Sequence, residues 1–336
     1  MSGNVIGIDL GGTKILAGAV DSDGKVTHVE RELTHAEEGA DGVIARLAGM
    51  IERVKAASGV AVDAVCIGVP GGVNIKEGIV DHAPNLRWVD VPLARALGEK
   101  TGLPVFLDND VRVAVLGEHA YGVGRGTRTM VGVWVGTGIG GGIIIEGKLH
   151  QGARGVAGEI GHSVIVKKGP ACPCGNTGCI EALASRTSIE REVRKLIDKG
   201  VKSEVLARMK KKERTVLSSG IIAWALERKD PAMTRAFTTA QRHLATFAAN
   251  LVNALDPEVI VFGGGIAERL GEDFVAPIRE QARDLFLSKR DVDSVRIVAT
   301  ELKETAPMAG AAFLARQRLA AGHAATPAAQ PSSPAH

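Results

Sequence analysis

The sequence predicts an α/β protein made of two β-rich α/β halves that face each other around a cleft. Three observations carry this. At 336 residues the chain is longer than one compact domain usually is, and about 150 residues per domain suggests two. Apolar runs of strand length alternate with segments of helical periodicity. Finally, a strand, a Gly/Thr turn and a second strand occur at Asp9-Leu-Gly-Gly-Thr13 and recur at Val135-Gly-Thr-Gly-Ile-Gly140. The second half therefore restarts the pattern of the first, and each half brings one glycine turn to the cleft.

In order, Val5 to Leu10 is a strand, Gly11-Gly12 a turn, Ile15 to Val20 a second strand and Lys25 to Leu33 a third, after the hairpin turn Asp21-Ser-Asp-Gly24. A helix from Asp41 to Ser58 lines up Val43, Leu47, Met50, Ile51 and Val54 on one face. Ala64 to Val69 is a buried strand closed by Pro70-Gly-Gly72, followed by a helix at Leu93 to Lys100 and a strand at Val105 to Leu107. A helix at Val111 to Ala120 starts directly after Asp108-Asn-Asp110. Thr129 to Val135 and Ile143 to Glu146 are strands on either side of Gly136 to Gly142. Helices follow near 185 to 199, 215 to 228 and 232 to 255, the last stopped by Asp256-Pro257. Val259 to Phe262 is a strand ending in Gly263-Gly-Gly265, with one helix from Ile266 to Leu287, a strand at Val295 to Ala299 and an Ala-rich helix at Ala306 to Leu319. The domains expected are 1–120, rejoined by the 306–320 helix, then 121–305, with 321–336 a disordered tail.

Composition narrows the function classes. Lys+Arg number 41 against 38 Asp+Glu, a formal charge of +3 that gives no footprint for nucleic acid or an acidic membrane. No run approaches 18 apolar residues, and Asp9 interrupts Val5 to Leu10, so the chain is expected to be cytoplasmic and reduced. Glycine stands out, at 42 residues against a usual share of about 7%. Without a three-residue period it excludes collagen, and its placement points to turns and close backbone approach.

Cys172, Cys174 and Cys179 form Cys-x-Cys-x₄-Cys, with Gly175 and Gly178 letting the chain wrap. His162, ten residues upstream, would complete a tetrahedral Cys₃His zinc site with every position filled, hence a structural one. Three reduced core cysteines are the competing reading, disfavoured by the Pro and Gly between them. Cys66, in an apolar strand, reads as a buried small hydrophobe. At Asp9-Leu-Gly-Gly-Thr-Lys14 two glycines let backbone N–H groups approach a phosphate, Asp9 suits Mg²⁺ or its water shell, and Thr13 and Lys14 add a hydroxyl and a cation. An ordinary hairpin fits the same residues, and the spacing is not that of a Walker A loop. Asp108-Asn-Asp110 is either a carboxylate source for taking a proton from an alcohol or an N-cap cluster, and the residues alone do not separate the three. Zinc would hold Glu159 and Glu181 near each other, as a pair of carboxylates for neighbouring hydroxyls or as loop acids. The basic run Arg208 to Arg214 has no interleaved aromatic residue and reads as a solvated helix face or turn.

Together these segments carry a resemblance. Ile6-Gly-Ile-Asp-Leu-Gly-Gly-Thr-Lys14 resembles the phosphate-1 turn of sugar kinases with the actin-like ATPase (ribonuclease H-like) fold, Gly136-Thr-Gly-Ile-Gly140 their phosphate-2 turn, and Val261-Phe-Gly-Gly-Gly265 their adenosine-binding turn. Gly158-Glu-Ile-Gly-His162 and Cys172-Pro-Cys-Gly-Asn-Thr-Gly-Cys179-Ile-Glu181 resemble the signature of the ROK family (repressors, open reading frames, kinases), over about residues 5 to 320.

The resemblance implies an ATP-dependent hexose kinase, foremost a glucokinase acting on the 6-hydroxyl, with Asp110 as general base. It implies sugar contacts from Gly71, Asn85, Asn109, Asp110, Glu159, His162 and Glu181. ATP and Mg²⁺ contacts fall to Asp9, Gly11, Gly12, Thr13, Lys14, Gly136, Thr137, Gly138, Gly140, Gly263, Gly264 and Gly265, and structural Zn²⁺ to His162, Cys172, Cys174 and Cys179. It further implies a homo-oligomer, dimer or tetramer, with no nucleic-acid or membrane partner. Fructose, mannose, N-acetylmannosamine and N-acetylglucosamine are alternative substrates, and polyphosphate an alternative donor. A non-catalytic sugar-responsive repressor or regulator is the alternative class; the expectation weighs against it because Asp9-Leu-Gly-Gly begins too early for a preceding winged helix. The chain departs from the family at Gly71-Gly72, where Gly-Pro is common, at Asn74, where Asp is, and at Arg186, where Gly is; a phosphate contact and a loop cap both remain open for Arg186.

Overall fold

The apolar strand β1 (Val5–Leu10) is buried along almost its whole length and so takes a neighbour on each side. It pairs antiparallel with β2 (Lys14–Val20), which pairs antiparallel with β3 (Val26–Leu33), and on its other side parallel with β4 (Ala64–Val69), itself parallel to β8 (Val105–Asn109). The helix α1 (Gly39–Ser58) buries Val43, Ile44, Leu47, Met50, Ile51 and Val54 and packs on β2 and β3. The computed structural model describes residues 3–322; of the expected tail, 323–336 lie outside the described residues.

Two compact units are present, one of residues up to Gly122 together with those from Thr305 on, the other Val123–Glu304. In the second, β9 (Met130–Val135), β10 (Ile139–Ile145), β11 (Lys148–Leu149), β12 (Val259–Gly263) and β13 (Arg296–Ala299) form a sheet of order β11-β10-β9-β12-β13. The first unit's order is β3-β2-β1-β4-β8. Each unit thus has two antiparallel pairings on one side of its first strand and two parallel ones on the other, the duplicated topology of the actin-like ATPase fold. The faint repeat in the sequence is a repeat of strand order.

The first unit also holds a three-stranded sheet that the sequence did not suggest, β5 (Gly72–Asn74), β6 (Ile79–Ala83) and β7 (Trp88–Val91), all too short and mixed in polarity to show a period. It continues with α2 (Leu93–Thr101), α3 (Asp110–Tyr121) and, from the C-terminal end, α11 (Ala306–Ala320), which packs on α3, β1 and β4. The second unit contributes α4 (Ile180–Ala184), α5 (Arg186–Asp198), α6 (Val205–Lys211), α7 (Ser219–Glu227), α8 (Pro231–Leu255), α9 (Gly264–Leu270) and α10 (Glu272–Arg283). No described helix is long and apolar enough to cross a membrane.

One expected helix is two. The span from Ile266 to Leu287 breaks at Gly271, whose φ of 55° is not helical and which caps α10. Pro277 inside α10 has no N–H for the Asp273 carbonyl four residues back. The buried Gln241 of α8 compensates, its Nε2 donating to the carbonyls of Asp273 (3.4 Å) and Phe274 (3.1 Å). Helix α6 takes in the first part of the basic run expected as a solvated helix face or turn, and α7 starts at Ser219 because the Ser218 hydroxyl accepts the Ile221 N–H.

The α3–α11 crossing brings backbones together. A Cβ on Gly310 would lie 1.7 Å from the Val113 carbonyl oxygen and 2.5 Å from the Gly117 nitrogen. Gly310→Ala should therefore destabilise the protein by about 1–3 kcal/mol or more, read as a lower urea midpoint with the transition slope unchanged.

Candidate active site

Parallel pairing sets the geometry of the first unit. Asp9 pairs with Gly68, Gly68 with Asp108 and Val69 with Asn109, so the C-terminal ends of β1, β4 and β8 lie side by side. That edge is where open α/β sheets take ligands, and it carries the Gly11-Gly12 turn, the loop at Gly71 and the Asn109-Asp110 junction. The turn is closed by the Gly11 N–H donating to the Lys14 carbonyl (2.9 Å). The fully buried Thr34 braces it twice, its hydroxyl donating to the Gly11 carbonyl (2.6 Å) and its N–H to that of Thr13 (3.0 Å). Sequence reasoning missed Thr34, whose one signal is a polar residue directly after a strand. Asn85 sits against the turn, its Cβ only 2.8 Å from where a Gly12 Cβ would stand. Thr13 and Lys14 are exposed.

The three residues that the sequence could not separate have three different environments. Asp108 is 0% exposed and Arg112 6%; the Arg112 Nε stands 3.2 Å from Asp108 Oδ1, which also accepts the Asn109 N–H at 2.8 Å. Burial pushes the Asp108 carboxyl above its ordinary range, against the pull of Arg112. Asn109 is the N-cap of α3, its Oδ1 accepting from Val111 (3.0 Å) and Arg112 (3.1 Å), while its Nδ2 donates to the Gly71 carbonyl (3.2 Å). Asp110, half-buried, opens α3 and accepts the Val111 N–H at 2.9 Å through Oδ1. The capping function belongs to Asn109, and Asp110 is the one accessible carboxylate of the three.

In the second unit β9 and β12 are parallel, with Gly263 opposite Trp134, so the Gly136–Gly138 turn and the Gly263–Gly265 segment share the same edge of that sheet. The Gly136 N–H closes its turn onto the Gly138 carbonyl (2.9 Å). Glu181 accepts the Ile139 N–H at 2.9 Å through Oε2, an oxygen that would lie 2.3 Å from a Gly138 Cβ. Its other oxygen is 3.8 Å from Cys172 Sγ, so one side chain links turn and cysteine loop. Arg186, left open by the sequence, donates its N–H to the Gly136 carbonyl (2.9 Å) and its guanidinium to the Thr137 hydroxyl. Gly140 lies within β10. Glu159 is exposed, just before the 3₁₀ turn Ile160–His162, and its carbonyl accepts the His162 N–H (3.1 Å).

The ligating atoms of His162, Cys172, Cys174 and Cys179 all lie within 4.8 Å of one another. Zinc bonds of about 2.3 Å to sulfur and about 2.0 Å to nitrogen at tetrahedral angles put ligands roughly 3.5–3.8 Å apart. Cys174 and Cys179 Sγ are 3.7 Å apart and Cys172 Sγ is 3.6 Å from His162 Nδ1, which fits, whereas a disulfide needs about 2.05 Å. Gly178, at φ 78°, brings its Cα so close to the Val166 carbonyl that a Cβ would stand 1.7 Å from its oxygen. Desolvation raises the Cys172 and Cys179 thiols, while the Asn176 backbone N–H lowers Cys174 to about 7. Cys66 is buried in β4, and burial raises its thiol strongly. Arg208 of the basic run and Arg228, which caps the C-terminus of α7, stack on Trp224 of α7 with guanidinium carbons 4.9 and 4.8 Å from the ring centroid, so the aromatic partner of the run comes from another helix.

Asp108→Ala removes the carboxylate 3.2 Å from the buried Arg112 Nε and should lower stability by about 3–5 kcal/mol, measured by urea denaturation.

Comparison with known proteins agrees with this architecture. The sequence model of the ROK family matches residues 5–318. A glucokinase of Thermotoga maritima is 37% identical over 316 residues, spanning 94% of this chain and 98% of its own. A putative xylose repressor of Caldicellulosiruptor is 34% identical, spanning 92% of this chain and 77% of its own. Among solved structures, a ROK family glucokinase from Streptomyces griseus in complex with glucose and AMPPNP superposes with a TM-score of 0.79 at 33% identity, covering 94% of this chain and all of that one (100%). Fold, strand order and sequence together place this chain in the ROK family.

Proposed function

We propose that the protein is an ATP-dependent hexose kinase that transfers the γ-phosphoryl group of ATP to the 6-hydroxyl of glucose. The observation that carries this reading is the division of labour at the β8–α3 junction, where Asp108 is buried against Arg112, Asn109 caps the helix and Asp110 presents its carboxylate beside them. The end-to-end match to a protein named glucokinase supports the same reading.

In this mechanism Asp110 accepts the proton of the 6-hydroxyl as that oxygen forms its bond to the γ-phosphorus and the bond to the ADP oxygen breaks. Asn109, fixed by two backbone donors and by Gly71, orients a neighbouring hydroxyl, and Gly71 and Asn85 line the same subsite. Glu159, His162 and Glu181 hold further sugar hydroxyls. With Nδ1 of His162 turned to the thiols, Nε2 is the atom for that contact. N–H groups of the Gly11-Gly12 and Gly136–Gly138 turns, with Thr13, Lys14 and Thr137, bind donor phosphates, and Gly263–Gly265 bind adenosine. Asp9, at the end of β1, would hold Mg²⁺, which supplies neutralisation of phosphate charge. Zinc on His162 and the three cysteines has no open position and would serve to fix the sugar-binding loop.

A coupled ADP-release assay over glucose, mannose, fructose, N-acetylglucosamine and N-acetylmannosamine, with ATP or polyphosphate, should give the highest kcat/KM for glucose with ATP. No sugar-stimulated ADP release would point to the regulator class instead. Asp110→Asn should lower kcat by about 10²–10⁴-fold with glucose affinity kept; a kcat within a few-fold of the parent removes Asp110 as the base. Metal analysis should find about one zinc per chain, lost in Cys174→Ser; a folded, active, zinc-free preparation refutes the site.

A further inference from the structure

We infer that Arg186 is a phosphate-binding residue of the donor site, a cation added to the glycine turn; the inference rests on the kinase reading above. Its side chain is half-buried, and its guanidinium ends on the hydroxyl of Thr137, at the tip of the Gly136–Gly138 turn. Its backbone N–H holds the Gly136 carbonyl of the same turn at 2.9 Å, and the Thr187 hydroxyl holds the Thr137 carbonyl at 2.8 Å. The cation is thus fixed at the turn by its own main chain and by its neighbour.

No carboxylate stands within ion-pairing distance of it among the described residues. The acids nearby are engaged elsewhere: Glu190 takes Arg194 at 2.7 Å and the Leu217 N–H at 2.7 Å, and Glu181 takes the Ile139 N–H. A neutral hydroxyl needs no charge to donate to it, so a structural cap alone would be served by an amide. Burial of the guanidinium opposes its charge, the Glu190 carboxylate offsets this only in part, and an arriving anion relieves what remains. A guanidinium offers several N–H donors in one plane, and one of them on Thr137 leaves others for phosphate oxygens. An anion at this turn is a phosphoryl group of the donor.

The test compares Arg186→Gln, Arg186→Ala and Arg186→Lys in the full-length protein. Titrations use MgAMPPNP, adenosine and inorganic tripolyphosphate as probes, with circular dichroism to verify folding. Gln keeps a donor for Thr137 but carries no charge. Arg186→Gln and Arg186→Ala should each weaken MgAMPPNP and tripolyphosphate about tenfold or more, leave adenosine affinity and the glucose KM unchanged, and be largely rescued by Lys. Restoration of nucleotide affinity by Gln would make Arg186 a cap only and overturn the inference, as would equal loss of adenosine and MgAMPPNP. Should the parent protein bind tripolyphosphate through Arg186 but not MgAMPPNP, the inference holds while ATP as donor fails. Should it bind neither, both fall.

Discussion

Parallel pairing beside antiparallel pairing is the constraint from which the rest follows. Strands running the same way in register end at the same edge, and β1, β4 and β8 do so residue by residue from Asp9 through Gly68 to Asp108. Whatever follows each strand is delivered to one place: a glycine turn, a glycine loop and the start of α3. The second unit repeats the device with β9 and β12, delivering the Gly136–Gly138 turn and Gly263–Gly265. The antiparallel half of each sheet has a different task, since the β1–β2 and β9–β10 hairpins make the turns themselves.

Placement at an edge is coarse, and short polar contacts refine it. At the β8–α3 junction the chain spends a buried ion pair on Asp108 and Arg112, and an N-cap on Asn109, so that the next side chain, Asp110, starts the helix in a defined position. In the second unit Glu181 accepts the Ile139 N–H at the end of the Gly136–Gly138 turn and stands beside Cys172, so the turn and the cysteine loop are positioned together. Thr34 performs the corresponding service for the first turn. These contacts are local and charge-assisted or doubly bonded, which keeps the turns in shape before any ligand arrives.

Strands with continuous apolar runs, such as Val259 to Phe262, and helices with a clear stripe, such as α1, were legible because burial on one or two faces writes itself into residue type. The convergence of the Cys-x-Cys-x₄-Cys thiols with His162 was legible from the spacing and the two glycines that let the chain wrap. The sheet of β5, β6 and β7 was not, since three to five residues of mixed polarity carry no period. Neither was the break at Gly271, where a single positive φ interrupts a stretch whose apolar spacing on both sides is helical. Within Asp108-Asn-Asp110 the letters are nearly interchangeable at a helix start, and what separates them is burial against Arg112, a contact made in three dimensions. Arg186 was ambiguous because either fate of a long cation fits its position; the Thr137 contact and the absence of an ion-paired acid among the described residues narrow it.

The central claim is that Asp110 and the glycine turns together carry out transfer to a sugar hydroxyl. Phosphorus NMR of the protein incubated with glucose, ATP and Mg²⁺ tests it most directly. The account predicts glucose 6-phosphate formed in step with ADP and no inorganic phosphate beyond the background. ADP accompanied by free phosphate, phosphorylation at another hydroxyl, or unchanged ATP in the presence of bound glucose would contradict it.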